Sequence, residues 1–115
     1  MANCCLFSMK IIGEKSNINK FMEQTKNSAH WCNRTDEETF LTIDGDCKWS
    51  LENCFIKNKP TLEELTRDLH LKVEAWSEVW EDSFQEHYLY KNGECIVDEW
   101  ADNDNGETLV EKWHI

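Results

Sequence analysis

The sequence predicts an α+β domain: a ferredoxin-like antiparallel sheet in the order β-α-β-β-α-β, with two helices on one face, extended by a C-terminal β-hairpin. Three observations carry that prediction. Apolar residues alternate with a period of two near the N-terminus and again at 71–75, two intervening stretches carry apolar residues at helical spacing, and Asn92-Gly93 joins two alternating runs near the C-terminus. A chain of 115 residues accommodates all of this as a single domain, 1–115, around one core.

Taken in order, Cys5, Phe7, Met9 and Ile11 alternate with mostly small or polar neighbours and give a first strand, ended by Gly13. Ser16 is placed to cap a helix that carries Ile18, Phe21 and Met22. Residues 27–37 are polar around His30-Trp31-Cys32 and read as a loop or an irregular strand. Thr39 to Ile43 and Cys47 to Ile56, joined by the turn Asp44-Gly45-Asp46, read as an antiparallel pair. Pro60 stops the chain, and Thr61-Leu62-Glu63-Glu64 forms a capping box in which the Thr61 hydroxyl and the Glu64 carboxylate each satisfy a backbone N–H. The second helix presents Leu62, Leu65 and Leu69, and the alternation of Leu71, Val73 and Ala75 gives the next strand. The clearest local signal is the hairpin Phe84 to Lys91, Asn92-Gly93, Glu94 to Trp100, whose turn suits type I′ geometry.

Twelve Lys+Arg stand against 23 Asp+Glu, a formal net charge of -11, while 40% hydrophobic residues and six Trp argue for a folded chain. Such a balance argues against binding nucleic acid or an anionic membrane directly, because neutralising phosphates requires clustered cations. The charge is not spread evenly. Met1 to Val73 holds 11 acids and 10 bases, whereas Glu74 to Glu111 holds 12 acids and only Lys91. Nothing approaches the roughly 20 apolar residues of a membrane span, and the N-terminal residues lack the pattern of a secretory signal. The expected compartment is therefore cytoplasmic, where Cys4, Cys5, Cys32, Cys47, Cys54 and Cys95 are expected as thiols.

With Asn92-Gly93 as a two-residue turn, simple register places His87 opposite Asp98 and Glu86 opposite Glu99. A His–Asp pair suits a general base, but no nucleophile is marked out beside it, so the pair reads as cross-strand structure. Glu86 facing Glu99 is unfavourable unless the two splay into water or a cationic partner offsets them. The cysteines lack the spacing of a structural metal site: there is no Cys-x-x-Cys, and in an unbroken strand Cys47 and Cys54 fall on opposite faces. No phosphate-binding loop, dinucleotide fingerprint, Gly-x-Ser-x-Gly or His-Glu-x-x-His occurs, so no catalytic residue is assigned and no metal or cofactor is expected.

Asn3-Cys4-Cys5, Gly45-Asp46-Cys47-Lys48-Trp49-Ser50, Phe84-Gln85-Glu86-His87-Tyr88 and Lys91-Asn92-Gly93-Glu94 resemble, as an ordered set, the ferredoxin-like YubB family of small proteins carried on plasmids, phages and their hosts. The chain departs from that family between Glu78 and Ser83, where the family usually has a Pro-Gly turn. The resemblance implies the fold and a mobile-element origin, and implies no activity. Joined to the charge asymmetry, it leads to a non-catalytic inhibitor that docks on a basic nucleic-acid-binding surface of a host defence effector by mimicking DNA charge, as an anti-CRISPR protein would. The residues expected at that contact are Glu74, Glu78, Glu81, Asp82, Glu86, Asp98, Glu99, Asp102 and Asp104, with Trp80 as an apolar anchor. The alternatives are a ligand- or metal-binding module built on Cys and His residues and, further off, an enzyme using His87 and Asp98. Trp113 and the apolar edge residues would suit a homodimer.

Overall fold

The computed structural model of the protein describes residues 4–79 and 82–115. Its elements are β1 (Cys4–Ile12), α1 (Lys15–Gln24), β2 (His30–Asp36), β3 (Phe40–Lys48), a short π-helical turn (Glu52–Ile56), α2 (Leu62–Leu69), β4 (Lys72–Val79), β5 (Phe84–Lys91) and β6 (Glu94–Asp102), followed by a 3-10 turn at Asn103–Asn105. The strands form one six-stranded sheet in the order β2-β3-β1-β4-β5-β6, and every neighbouring pair is antiparallel. The class is therefore α+β.

One face of the sheet carries the core. Cys5, Phe7, Met9 and Ile11 of β1 alternate inward and cluster with Leu41 and Ile43 of β3, Val73 and Ala75 of β4, Ile18 and Phe21 of α1, Phe55 of the π-helical turn, and Leu62, Leu65 and Leu69 of α2. Period two on the strands and helical spacing on α1 and α2 thus meet in a single apolar layer. Thr61 caps α2 by accepting from the Glu64 N–H at 3.2 Å, but the Glu64 carboxylate accepts from the Thr61 hydroxyl at 3.1 Å instead of from a backbone N–H. Helix α1 begins at Lys15 with Glu14 at its N-cap and no side-chain cap, so Ser16 lies inside the helix instead of capping it.

The largest departure from the sequence reading is at β3. Asp44-Gly45-Asp46 is not a turn: β3 runs straight through it, pairing with β1 from Phe40 to Lys48, and its hairpin partner is β2, in the stretch read as a loop. Glycine is required here by close packing. A Cβ on Gly45 would stand 2.8 Å from Phe7 Cζ and 2.9 Å from the His30 carbonyl oxygen. Phe7 in turn packs edge-on against Trp31 and Phe55, with ring centroids 5.3 and 5.6 Å away. The stretch from Cys47 to Ile56 is not an unbroken strand either. It leaves the sheet after Lys48 and coils, and the Cys54 thiol folds back to the Lys48 carbonyl at 3.1 Å.

The other face is crossed by the C-terminal stretch. Gln85 binds the main chain of Leu109 in both directions, at 3.2 and 2.9 Å. Lys10 Nζ donates to the Ile115 main-chain oxygen at 3.0 Å. As a result β4 is buried on both faces through most of its length. Among the described residues, no helix is long and apolar enough to cross a membrane. Substituting Gly45→Ala should lower stability by about 1–3 kcal/mol through overpacking against Phe7; urea denaturation measures it, and an unchanged midpoint would contradict this packing account.

Candidate functional site

The β5–β6 hairpin keeps the expected turn, with φ of 48° at Asn92 and 89° at Gly93, as type I′ requires. Its register differs from the simple one by a single residue. Tyr90 pairs with Cys95 but Leu89 pairs with Val97, so Ile96 is an extra residue on β6. Beyond this bulge every pairing is displaced. His87 faces Glu99, not Asp98, and Glu86 faces Trp100, not Glu99. The His87–Asp98 pair and the opposed Glu86–Glu99 pair are therefore both absent, and with them the repulsion that pointed to an external cation.

Glu86 is fully buried on the core face, with 0% exposure. Its Oε1 accepts from Leu51 N–H at 2.8 Å and from the Ser77 hydroxyl at 2.9 Å, and its Oε2 accepts from Glu52 N–H at 3.1 Å and the Tyr88 hydroxyl at 3.2 Å. With the Cys5 thiol 3.9 Å from Oε1, five donors thus close around one carboxylate, and two of them are backbone groups at the start of the π-helical turn, which lack partners within that turn. Burial, and then the Glu86 charge, push the Tyr88 phenol well above its ordinary value, so it keeps the proton it donates. Glu86 is a structural anchor between the sheet and the turn, and cannot touch a partner.

Glu74 is likewise at 0% exposure, on the opposite face. Its Oε1 accepts from the backbone N–H groups of His114 and Ile115 at 2.7 and 3.1 Å, and its Oε2 lies 2.6 Å from His87 Nε2. The other ring nitrogen of His87, Nδ1, is 2.7 Å from Glu99 Oε1. Each ring nitrogen of His87 thus meets a carboxylate oxygen, Glu74 on one side and Glu99 on the other. Trp76 stacks on the same imidazole with centroids 3.7 Å apart and planes 9° from parallel, and the His114 ring lies 5.1 Å away. Glu74, His87 and His114 offer ligand atoms that all lie within 4.8 Å of one another. The residues are collected from β4, β5, β6 and the C-terminal stretch.

The remaining acids stay outside. Glu78, Asp82, Asp98, Glu99 and Asp104 are exposed and Asp102 is half-buried. Trp80 and Glu81 lie outside the described residues, as does Asn3. Strand β6 is an edge strand that exposes Ile96 and Trp100 by 51% and 55%, and Asn92 to Glu111 contains seven carboxylates and no Lys or Arg. The His30-Trp31-Cys32 stretch does not meet the other thiols, among which Cys5, Cys47 and Cys54 lie together. His30 and Cys32 pair across from Asp46 and Asp44 on one face, whereas Cys5 and Cys47 pair with each other in the core layer. Hydrogen bonding with Cys5 and Cys54, and burial, push the Cys47 thiol up, while the hydrogen bond with Cys47 lowers Cys54 to about 6, so Cys47 keeps the proton the two thiols share. His114 escaped the sequence reading because nothing local marks it; Glu86 could have been found, since it shares a strand face with Phe84, Tyr88 and Tyr90.

These features define the class: a small α+β protein whose antiparallel sheet carries a core on one face, a strapped carboxylate–histidine cluster on the other, and an acidic strand at its edge. No family model, curated protein or solved structure matches the chain.

Glu86→Ala should cost about 3 kcal/mol or more, since it leaves several buried donors unpaired, while Asp98→Ala should stay within about 0.5 kcal/mol as an exposed substitution. Paired denaturation curves distinguish the two; equal effects would contradict the assignment of Glu86 as an anchor.

Proposed function

We propose that the protein is a non-catalytic interaction module that presents the acidic edge strand β6 and the turn after it to a basic, nucleic-acid-binding surface of a host defence effector, blocking it as a charge mimic of nucleic acid. The observation that carries this reading is the base-free set of carboxylates on an exposed edge strand and the turn after it, Glu94, Asp98, Glu99 and Asp102 on β6 with Asp104 and Glu107 beyond, and Ile96 and Trp100 exposed among them. An edge strand offers unpaired main-chain groups as well as side chains, and a single Lys or a shortened strand would suffice to guard it against aggregation. Six acids without a base from Glu94 to Glu107 go well beyond that need. Carboxylates spaced along a rigid strand resemble a phosphate backbone to a cationic groove, and exposed Trp is a residue that interfaces favour as an anchor.

The contact differs from the one read in sequence. Glu74 and Glu86 are removed from it by burial, and Glu99 is partly engaged by His87. Asp98 and Asp104 remain as exposed acids of the edge, flanked by Glu78 and Asp82, and Glu94 and Glu107 join them. The finer fold assignment belongs to the same reading. The order β2-β3-β1-β4, with a helix in each of the two crossovers, supports a ferredoxin-like core to which β5 and β6 are appended. The short features shared with the YubB family support a mobile-element origin, and hence a host target.

The test is capture of host proteins on the immobilised chain, identification by mass spectrometry, and elution with duplex DNA. Basic nucleic-acid-binding proteins should be retained, released by DNA, and weakened about tenfold or more as salt is raised from low to high ionic strength. The triple substitution Glu94→Gln, Asp98→Asn, Asp104→Asn should abolish capture without changing stability. Retention that is indifferent to these substitutions and to salt would refute the reading.

A further inference from the structure

We infer that Glu74, His87 and His114 form a binding site for a borderline divalent cation of the zinc type, with Glu99 orienting His87 from behind and the C-terminal stretch clamped by the metal. The site shares Glu99 with the acidic edge strand β6 but needs no partner.

The argument begins with the ring of His87, which is fixed on every side. Glu99 takes Nδ1 at 2.7 Å, Trp76 covers one ring face at 3.7 Å, and Nε2 is aimed at Glu74 Oε2. A carboxylate behind one imidazole nitrogen sets the tautomer and raises the basicity of the other, and that is the arrangement found behind metal-ligating histidines. Here the nitrogen so prepared is Nε2. Glu74 is prepared in the same way. Its Oε1 is occupied by the N–H groups of His114 and Ile115, which leaves Oε2 as the ligand oxygen.

Those same two hydrogen bonds deliver the third ligand. By tethering the main chain at His114 to Glu74, they hold the His114 imidazole beside His87, at 5.1 Å between ring centroids. The ligand atoms of the three residues already lie within 4.8 Å of one another; Zn–N and Zn–O bonds of about 2.0–2.2 Å set tetrahedral ligand atoms about 3.4 Å apart, so the cation enters as His87 Nε2 and Glu74 Oε2, now 2.6 Å apart, part by just under an ångström and His114 closes on them by a little more. His114 is exposed, so its ring is free to swing and a fourth position opens towards water. Two imidazoles and one carboxylate form a donor set suited to Zn²⁺, unlike the oxygen cages of calcium or magnesium.

The experiment titrates Zn²⁺ into the chelator-treated full chain by calorimetry, with Co²⁺ as a spectroscopic probe. One ion per chain should bind, and the Co²⁺ complex should lack a thiolate charge-transfer band. His114→Ala, which alters an exposed side chain and should leave stability in the absence of metal unchanged, should weaken binding by at least about tenfold, as should Glu99→Gln. His30→Ala, a histidine on a distant strand, should change nothing. Absence of saturable binding, affinity unaffected by His114→Ala, or a thiolate band showing that the cysteines hold the ion would each overturn the proposal.

Discussion

The open face of the sheet depends on one carboxylate. Glu74 sits in the middle of β4, accepts two backbone N–H groups from the C-terminal stretch through one oxygen, and meets His87 through the other. Take that acceptor away and the buried His87 ring nitrogen and two backbone N–H groups lose their partner together. The burial of Trp76 and His87 depends on the same contact, because the segment that shields them is held down there and at Gln85. Coupled polar contacts of this kind are stronger inside a protein than in water and cost more when partly broken.

Glu86 plays the corresponding part on the core face, where it joins β5 to the coiled segment after β3. Two glutamates that belong to the most acidic third of the chain are thus consumed by folding. The acidity left for the surface is concentrated on β6 and the turn beyond it, a narrower strip than composition suggested. The two regions differ in setting: the carboxylate–histidine cluster lies beneath the C-terminal stretch, whereas the edge strand faces solvent, and Glu99 belongs to both.

Much of the architecture was legible because it rests on local chemistry. The period-two run at Cys5–Ile11, the leucines and cap of α2, and the Asn-Gly turn each describe an element whose apolar face or backbone geometry is written in adjacent residues. Where the reading failed, a distant contact had overridden the local signal. Gly45 looks like a turn residue, and is a strand residue because Phe7 lies against it. Polar β2 carries no strand pattern beyond Trp31, since its outer position leaves most of its side chains in water. The bulge at Ile96 has no glycine or other local signature, and it shifted the partner of His87 by one residue.

The sequence by itself determined the α+β class, the order of most elements, the apolar faces of both helices and the concentration of charge in the last third. These follow from periodicity and composition, which require no knowledge of what folds against what. Only the tertiary structure decided which acids are buried, which residue faces His87, and that His114, forty residues from Glu74 in sequence, completes the cluster. The physical reason is that a carboxylate's role depends on the donors brought to it, and those donors come from strands and a tail that meet only when the sheet is assembled.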